Sequence, residues 1–335
     1  MEKREKEFQR NEKLEALLSE INQDLEVAEE KLLLQEYETY PVIFIMGAPR
    51  SGTTLTMQWL ANTGQFAYPT NLMSRFYNTP IIGAKIQKLL CNPEYSFRNE
   101  IIDFSKSVDY YSENGKTKGA SSPNEFWYFW RRYFPFSDFD NDFLPDDVLE
   151  EKVNYEKFNK ELMGIANVMK RPVMLKGMIA NYNIGFLDKI FSKAVFVYVK
   201  RDMETNVASI LDARKRQLGS ENVWYSFRIP EMQELLQIKE PEVQVAGQVH
   251  CIRRAVEHGL ESVSGERKLI LSYEDFCKNP FLYYRSLKEK LAAQECQIED
   301  TYVGEDKFDL TRKDVNKRIK DAYPTFLRKY ADKMI

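Results

Sequence analysis

The segment of this sequence with the clearest chemical potential is residues 47–54, which read GAPRSGTT. Gly47 and Gly52 are spaced as in the phosphate-binding motif GxxxxGK[ST], in which glycines let backbone N–H groups turn toward one anion. Thr53 stands where nucleoside triphosphatases carry a lysine, whereas Arg50 places a cation inside the loop. We therefore predict a loop that binds a short anionic chain without a metal ion, such as the single 5′ phospho-anhydride group of a nucleotide.

Such a loop needs a strand before it and a helix after it, and the sequence supplies both. Residues 42–46, VIFIM, form a continuous apolar run, which is typical of a strand buried on both faces of a parallel sheet. After the loop, apolar residues recur at helical spacing as far as about residue 62. Three further short strands are predicted at residues 172–176, 194–199 and 269–273, and helices follow the last two. This alternation predicts the fold class α/β, with a P-loop-type doubly wound parallel sheet flanked by helices.

Two segments depart from this alternation. Residues 1–40 contain no glycine or proline, and their apolar residues recur at alternating spacings of four and three, which predicts a long amphipathic helix. This helix either docks on the body of the protein or pairs with a second copy, so a homodimer through it stays open. Residues 41–335 are expected to form a single domain. Within it, the aromatic-rich residues from about 65 to 170 predict a helical insertion over the carboxyl ends of the strands, where open α/β sheets bind ligands.

The composition favours a folded enzyme over a nucleic-acid-binding or membrane-spanning protein. The 335 residues are 43% hydrophobic and carry a formal net charge of −3, which argues against nucleic acid as a partner. Four cysteines without a CxxC pair and two histidines do not make a Cys/His metal set, so no metal is expected. No apolar run is long enough to span a membrane, and the charged N-terminus lacks the apolar region of a secretory signal. These features predict a cytoplasmic protein with free thiols.

Three signatures of this sequence together resemble the sulfotransferases that use 3′-phosphoadenosine 5′-phosphosulfate (PAPS). The first is PRSGTT at residues 49–54, shortly after the first apolar strand. The second is an apolar strand that ends in Arg201, with Ser209 eight residues later. The third is YED at residues 273–275, followed by Asn279-Pro280. The signatures occur in the family's order, and the N-terminal helix lies outside the resemblance.

The resemblance implies that PAPS is the sulfuryl donor and that 3′-phosphoadenosine 5′-phosphate (PAP) is the product. Arg201 and Ser209 are expected to bind the 3′-phosphate, because arginine matches phosphate oxygens in a bidentate fork; a surface charge is the alternative for Arg201. Tyr273 is expected beside the adenine, with a core tyrosine as the alternative. Arg312 and Lys313 resemble the Arg-Lys-Gly run that clasps the 3′-phosphate in cytosolic relatives, but the glycine is missing, and a solvated basic helix is the alternative. The residues expected around the 5′-phosphosulfate are Arg50, Ser51, Gly52, Thr53 and Thr54.

The resemblance also leads to three expected catalytic residues. Lys176 ends the second strand in the run PVMLKG and corresponds to the lysine of a Leu-Lys-Thr-His run in the family's cytosolic branch. Met178 replaces the histidine base of that branch, and the segment YPTNLMSRF lacks the glutamate base that other branches use. We therefore expect Glu125, a single acid before an aromatic block, to take the acceptor's proton, with a helix-capping role as the alternative. Arg50 and Lys176 are expected to stabilise negative charge on the sulfuryl and bridging oxygens.

The acceptor is expected to bind at the aromatic block FWYFWRRYF, residues 126–134. At helical spacing, half of the block must face the core, so only some of its side chains can reach a ligand. The candidates are Phe126, Trp127, Trp130 and Arg131. Aromatic faces beside arginine suit a sugar, a phenol or an anionic molecule, so the expected acceptor is a hydroxyl or amine on a small molecule or a glycan.

Two other functions stay open from the sequence alone. A P-loop nucleotide or metabolite kinase would share the strand, loop and helix, but it would need a lysine at position 53 and a strand-end aspartate for magnesium. A non-catalytic partner protein, in which the N-terminal helix is the functional element, would explain why the family's usual bases are missing.

Overall fold

The structure, a computed structural model, describes residues 11–98, 100, 104, 108–113, 116–134, 143–311 and 313–334. Its helices are α1 (Glu12–Asp24), α2 (Glu26–Leu33), α3 (Thr53–Asn62), α4 (Pro80–Cys91), α5 (Trp127–Tyr133), α6 (Asp146–Lys152), α7 (Tyr155–Met169), α8 (Ile184–Ile190), α9 (Met203–Leu218), α10 (Met232–Leu236), α11 (Pro241–Glu261), α12 (Tyr273–Lys278), α13 (Pro280–Ala292) and α14 (Lys317–Lys329). Its strands are β1 (Val42–Met46), β2 (Ser112–Glu113), β3 (Lys116–Thr117), β4 (Val173–Lys176), β5 (Ala194–Lys200) and β6 (Lys268–Ser272). None of the described helices is both long and apolar enough to cross a membrane.

Four strands form the central sheet in the spatial order β4-β1-β5-β6, and all neighbouring pairs are parallel. In the interior strand β1, Val42 is opposite Val173 of β4 on one side and Ala194 of β5 on the other. Every residue of β1 is buried, as expected for a strand that helices cover on both faces. The prediction of an α/β fold with a parallel sheet flanked by helices is confirmed. Each of the four predicted strands matches an observed strand to within one residue at either end.

The side chains of β1 alternate between two hydrophobic cores on opposite faces of the sheet. Ile43 and Ile45 pack in the core that contains Trp59 of α3 and side chains of α12 and α13. Phe44 and Met46 face the other core, to which α7, α8, α9 and α11 contribute. Because the strands are parallel, the residues that directly follow them lie at one edge of the sheet. These residues are Gly47, Gly177, Arg201 and Tyr273.

The aromatic-rich insertion between α3 and β4 contains α4 to α7 and the short antiparallel pair β2–β3. Its aromatic rings form a layer against the sheet. The ring of Trp130 lies with its centroid 6.2 Å from that of Phe44 and 5.8 Å from that of Phe158. Phe129 stacks on Phe126 with ring centroids 4.5 Å apart. Much of the aromatic block is therefore core rather than ligand surface.

The predicted long N-terminal helix divides at Leu25 into α1 and α2. Both helices pack on the insertion, and Leu18 of α1 is buried there. The fully buried Asn22 donates from Nδ2 to the carbonyl oxygen of Arg75 and accepts from the backbone N–H of Asn78, each at 2.8 Å. These contacts dock the segment on the body of the same chain, and its pairing with a second copy stays a prediction.

Candidate active site

The loop after β1 adopts a backbone that requires glycine at two positions. Gly47 and Gly52 have φ angles of 142° and 110°, which lie in the region that favours glycine. A Cβ on Gly47 would lie 2.7 Å from the carbonyl oxygen of Val199, and a Cβ on Gly52 would lie 2.3 Å from the ring of Tyr273. The loop therefore fits closely against the ends of β5 and β6. It leads directly into α3, whose first N–H groups have no partner within the helix and can bind an anion.

Buried amide side chains from neighbouring elements hold this loop. Asn181 accepts from the N–H of Gly47 at 3.0 Å and donates from Nδ2 to the carbonyl oxygen of Gly47 at 2.9 Å. Asn206 of α9 donates from Nδ2 to the carbonyl oxygen of Pro49 at 2.8 Å. Both asparagines are completely buried. Sequence analysis missed them, and Asn206, in the polar first turn of a predicted helix, carries no distinctive local signal.

Four residues predicted for the nucleotide come together beside the loop. Arg50, which has a left-handed φ of 62°, donates from Nε to the hydroxyl of Ser209 at 3.3 Å. Arg201 donates to the carbonyl oxygen of Arg50 at 3.0 Å, and its guanidinium carbon lies 4.6 Å from the ring centroid of Tyr273. Burial lowers the pKa of Arg201, so an anion beside it would recover part of the electrostatic energy that burial costs.

In the loop and beside it, two buried polar atoms lack a hydrogen-bond partner within the part of the chain that the structure describes. They are Oγ of Ser51 and Nε of Arg201. A buried donor without a partner is costly in free energy, and the phosphate or sulfate oxygens of a ligand would satisfy both atoms.

Of the two basic residues predicted to contact the 3′-phosphate near the C-terminus, Lys313 already forms an ion pair with Asp212 at 2.8 Å. Arg312 lies outside the described residues.

A second polar group lies at the end of β4. Lys176 donates from Nζ to the hydroxyl of Thr54 at 2.8 Å and forms an ion pair with Glu125. The other carboxylate oxygen of Glu125 accepts from Nε1 of Trp127. The side chain of Lys176 is 5% exposed and that of Glu125 is 30% exposed, so the carboxylate is the member of the pair that a ligand can reach. Three segments that are distant in sequence thus supply one connected polar group.

The two positions at which this chain departs from known motifs contact each other. Thr53, in place of the lysine of nucleoside triphosphatases, lies with Oγ1 3.5 Å from Sδ of Met178. Met178 stands in place of the histidine of the cytosolic sulfotransferase branch, and both side chains are buried. A thioether and a buried hydroxyl cannot serve as the proton acceptor at neutral pH, so these positions do not supply a base.

The four acceptor candidates do not share one surface. Trp130 is buried in the core against Phe44. Phe126 and Trp127 line a cavity of about 730 Å³, whereas the half-buried Arg131 does not line it. Helical spacing predicted that half of the block faces the core, and the structure shows which half.

Comparisons with known proteins bear on the family and the fold of this chain. A model of the sulfotransferase family matches residues 41–295. No curated protein sequence matches the chain. Among solved structures, sulfotransferase STF1 from Mycobacterium tuberculosis H37Rv is 14% identical with a TM-score of 0.50, over 92% of this chain and 76% of that one. Sulfotransferase STF9 from Mycobacterium avium is also 14% identical, with a TM-score of 0.49, over 94% of this chain and 73% of that one. At this identity, the similarity to STF1 shows a shared fold.

Proposed function

This chain belongs to the sulfotransferase family, and we propose that it transfers the sulfuryl group of PAPS to a hydroxyl or amine of a small-molecule or carbohydrate acceptor. The observation that carries the proposal is the meeting of two polar groups at one edge of the sheet. Arg50 lies in the loop and Arg201 beside it, and Lys176 with Glu125 lies at the end of β4. The first group suits an anionic nucleotide, and the second suits proton transfer and charge stabilisation next to it.

The loop and its neighbours fit the two anionic ends of the donor. The 3′-phosphate is assigned to Arg201 and Ser209. The adenine is assigned to a position beside Tyr273, whose ring is buried against Gly52 and Arg201 and also belongs to the core. The unpartnered Oγ of Ser51 supports an anion at the loop. PAP would bind through the same residues, because it differs from PAPS only by the sulfuryl group. The residues assigned to the 5′-phosphosulfate are Arg50, Ser51, Gly52, Thr53 and Thr54.

Glu125, Lys176 and Arg50 are proposed to have different roles in the transfer. When bound, the donor supplies a sulfuryl group whose bond to the 5′-phosphate oxygen breaks as the acceptor oxygen bonds to sulfur. Glu125 takes the proton of the acceptor hydroxyl, since its carboxylate is the more exposed member of the pair and also contacts Trp127 of the aromatic block. Lys176 contacts Thr54 at the loop, so its ammonium stabilises negative charge on the leaving side, with Arg50 inside the loop.

Titration calorimetry of the full chain with PAP and with ATP, each with and without magnesium, tests the donor. We expect PAP to bind with an affinity that does not depend on magnesium, because the loop uses guanidinium and backbone N–H groups instead of a lysine and a metal. A search for transfer from radiolabelled PAPS to a panel of phenols, sugars and amines then tests the acceptor class.

The outcomes of these experiments separate the three functions. ATP that binds tightly only with magnesium, while PAP does not bind, would overturn the proposal in favour of a kinase. PAP binding without transfer to any acceptor in the panel would favour a non-catalytic partner protein.

A further inference from the structure

The cavity lined by Phe126 and Trp127 is also lined by α1. The helix contributes Leu14, Glu15 and Leu18 to the lining. Other lining residues come from the segments 71–75 and 117–120. Its volume of about 730 Å³ lies within the range of small-molecule sites, which is roughly 300–1,000 Å³. Neither the phosphate loop nor the ends of β5 and β6 contribute to its lining.

One side chain joins this cavity to the polar group at the end of β4. Trp127 lines the cavity, and its Nε1 donates to a carboxylate oxygen of Glu125. The other oxygen of Glu125 is paired with Lys176. A molecule in the cavity therefore contacts the indole that positions the proposed base.

Leu14, Glu15 and Leu18 form the α1 wall of the cavity, and hydrogen bonds fix this wall to the insertion. The hydroxyl of Tyr128 donates to the carboxylate of Glu15, with both carboxylate oxygens at 2.7 Å. Asn22, near the end of α1, forms hydrogen bonds with the backbone of Arg75 and of Asn78. The sulfotransferase-family match begins at residue 41, so α1 lies outside the matched residues.

The lining has an apolar part and a charged part. Leu14 and Trp127 are half-buried and supply apolar surface, and Leu18 and Phe126 are buried behind it. Glu15 contributes one carboxylate, which accepts from the hydroxyl of Tyr128.

Arg75 and Lys118 supply two positive charges at exposed positions against the single negative charge of Glu15. Neither cation forms an ion pair with another described residue, and Nζ of Lys118 lies 5.7 Å from the ring centroid of Tyr111. An anionic group of a ligand would form ion pairs with the two cations, and an apolar or aromatic body would cover Leu14 and Trp127.

We propose that α1 completes the acceptor site and that this site selects amphipathic acceptors, with an apolar body and an anionic group. This inference rests on the proposed function, because it places the acceptor's hydroxyl or amine at Glu125. Leu14 and Trp127 bind the apolar body, and Arg75 and Lys118 bind the anionic group.

Fluorescence titration with two matched probes tests the binding preference. Anilinonaphthalene sulfonate and phenylnaphthylamine share an aromatic body, but only the first carries an anionic group. We expect the sulfonate to bind about tenfold more tightly, as for one charge-assisted hydrogen bond. The double variant Arg75→Ala/Lys118→Ala removes most of that difference, whereas Lys85→Ala, an exposed lysine outside the cavity, does not.

A matched pair of leucines on the same helix tests the wall. Leu14→Ala is expected to weaken binding of both probes by roughly fivefold, because apolar contact area is lost. Leu17→Ala is expected to leave both affinities unchanged, since Leu17 is 52% exposed and does not line the cavity. Equal affinities of the two probes, or equal effects of the two leucine variants, would overturn the inference. If Leu14→Ala does not fold, the variant of the two exposed cations still decides the charge preference.

Nucleotide binding by the same proteins separates this inference from the proposed function. Leu14→Ala is expected to bind PAP as tightly as the unaltered chain, and the sulfonate probe should inhibit transfer competitively with the acceptor but not with PAPS. If the sulfonate probe instead competed with PAPS, the inference about the acceptor site would be overturned while the proposed function would stand. Failure of the unaltered chain to bind PAP, with the probe results as expected, would overturn the proposed function and with it the acceptor role, leaving a ligand site.

Discussion

The two sides of the candidate active site are built in different ways. The donor side, which consists of residues 47–54 with the ends of β5 and β6, is fixed mainly by backbone geometry and by the sheet, and the buried side chains of Asn181 and Asn206 bond its backbone. Gly52 lies against Tyr273, and Arg201 is bonded to the loop itself. The acceptor side, which consists of the insertion with α1 and α2, is assembled from side-chain contacts between distant segments. The difference indicates that the donor side depends mainly on backbone conformation, whereas the acceptor side depends on individual side chains.

Lys176 lies where the two sides meet, and its replacement should have the largest effect. In Lys176→Ala we expect turnover to fall about 10²–10³-fold, as when an electrostatic group of a transition state is removed, with little change in PAP affinity. Steady-state kinetics and PAP titration measure the two effects. Lys189→Ala, an exposed lysine paired with Glu150, is the control and should keep full activity. Turnover near that of the unaltered protein would assign Lys176 a purely structural role.

The support of the acceptor side should depend on pH through Glu29 of α2. This buried carboxylate accepts from the N–H groups of Ile81 and Ile82, at 2.8 and 3.0 Å, where α4 begins. Burial raises its pKa from 4.5 to about 7, and the charge of Glu161 adds to the increase, against the effect of those hydrogen bonds and of Arg132. At a pH between these two pKa values, Glu29 is ionised in the unfolded chain but protonated in the folded chain. The free energy of unfolding therefore falls as the pH rises through this range.

The size of that loss follows from the difference between the two pKa values. It corresponds to on the order of 3 kcal/mol of unfolding free energy between about pH 4.5 and pH 7. Urea unfolding at pH 5 and at pH 8 should show the unaltered protein losing more stability than Glu29→Gln, whose side chain does not ionise. Parallel losses in both proteins would mean that Glu29 does not titrate in this range.

On the donor side, Arg201→Ala should weaken PAP binding by about 10- to 100-fold, since charge-assisted hydrogen bonds contribute about 1.5–3 kcal/mol. Adenosine monophosphate, which lacks the 3′-phosphate, should lose far less affinity in a parallel titration. Lys313→Ala should have a smaller effect than Arg201→Ala, because Lys313 is paired with Asp212. Equal losses for both nucleotides would show that Arg201 acts by holding the loop instead of by binding the phosphate.

The same contrast explains what the sequence predicts. The strands and the glycine spacing of the loop are local patterns, so their positions follow from the sequence alone. The ties from Asn181, Glu29 and Glu15 join groups that are 52 to 134 residues apart, and no local pattern records them. Phe126 precedes α5 in a left-handed conformation with φ of 57°, so the rotational phase of the aromatic helix could not be read from its spacing.

The smallest expected effect belongs to the tie between α1 and α5, and it tests whether the two sides are independent. In Tyr128→Phe the carboxylate of Glu15 loses the hydroxyl that holds it, at a partly exposed position where one hydrogen bond contributes about 1 kcal/mol. Affinity for the sulfonate probe should fall by a few fold, and the amides of α1 should exchange hydrogen faster. PAP affinity should not change. Tyr155→Phe, at an exposed position on α7, is the matched control. A parallel loss of PAP affinity in Tyr128→Phe would show that the wall from α1 also supports the loop, and the two sides would then have to be treated as one mechanical unit.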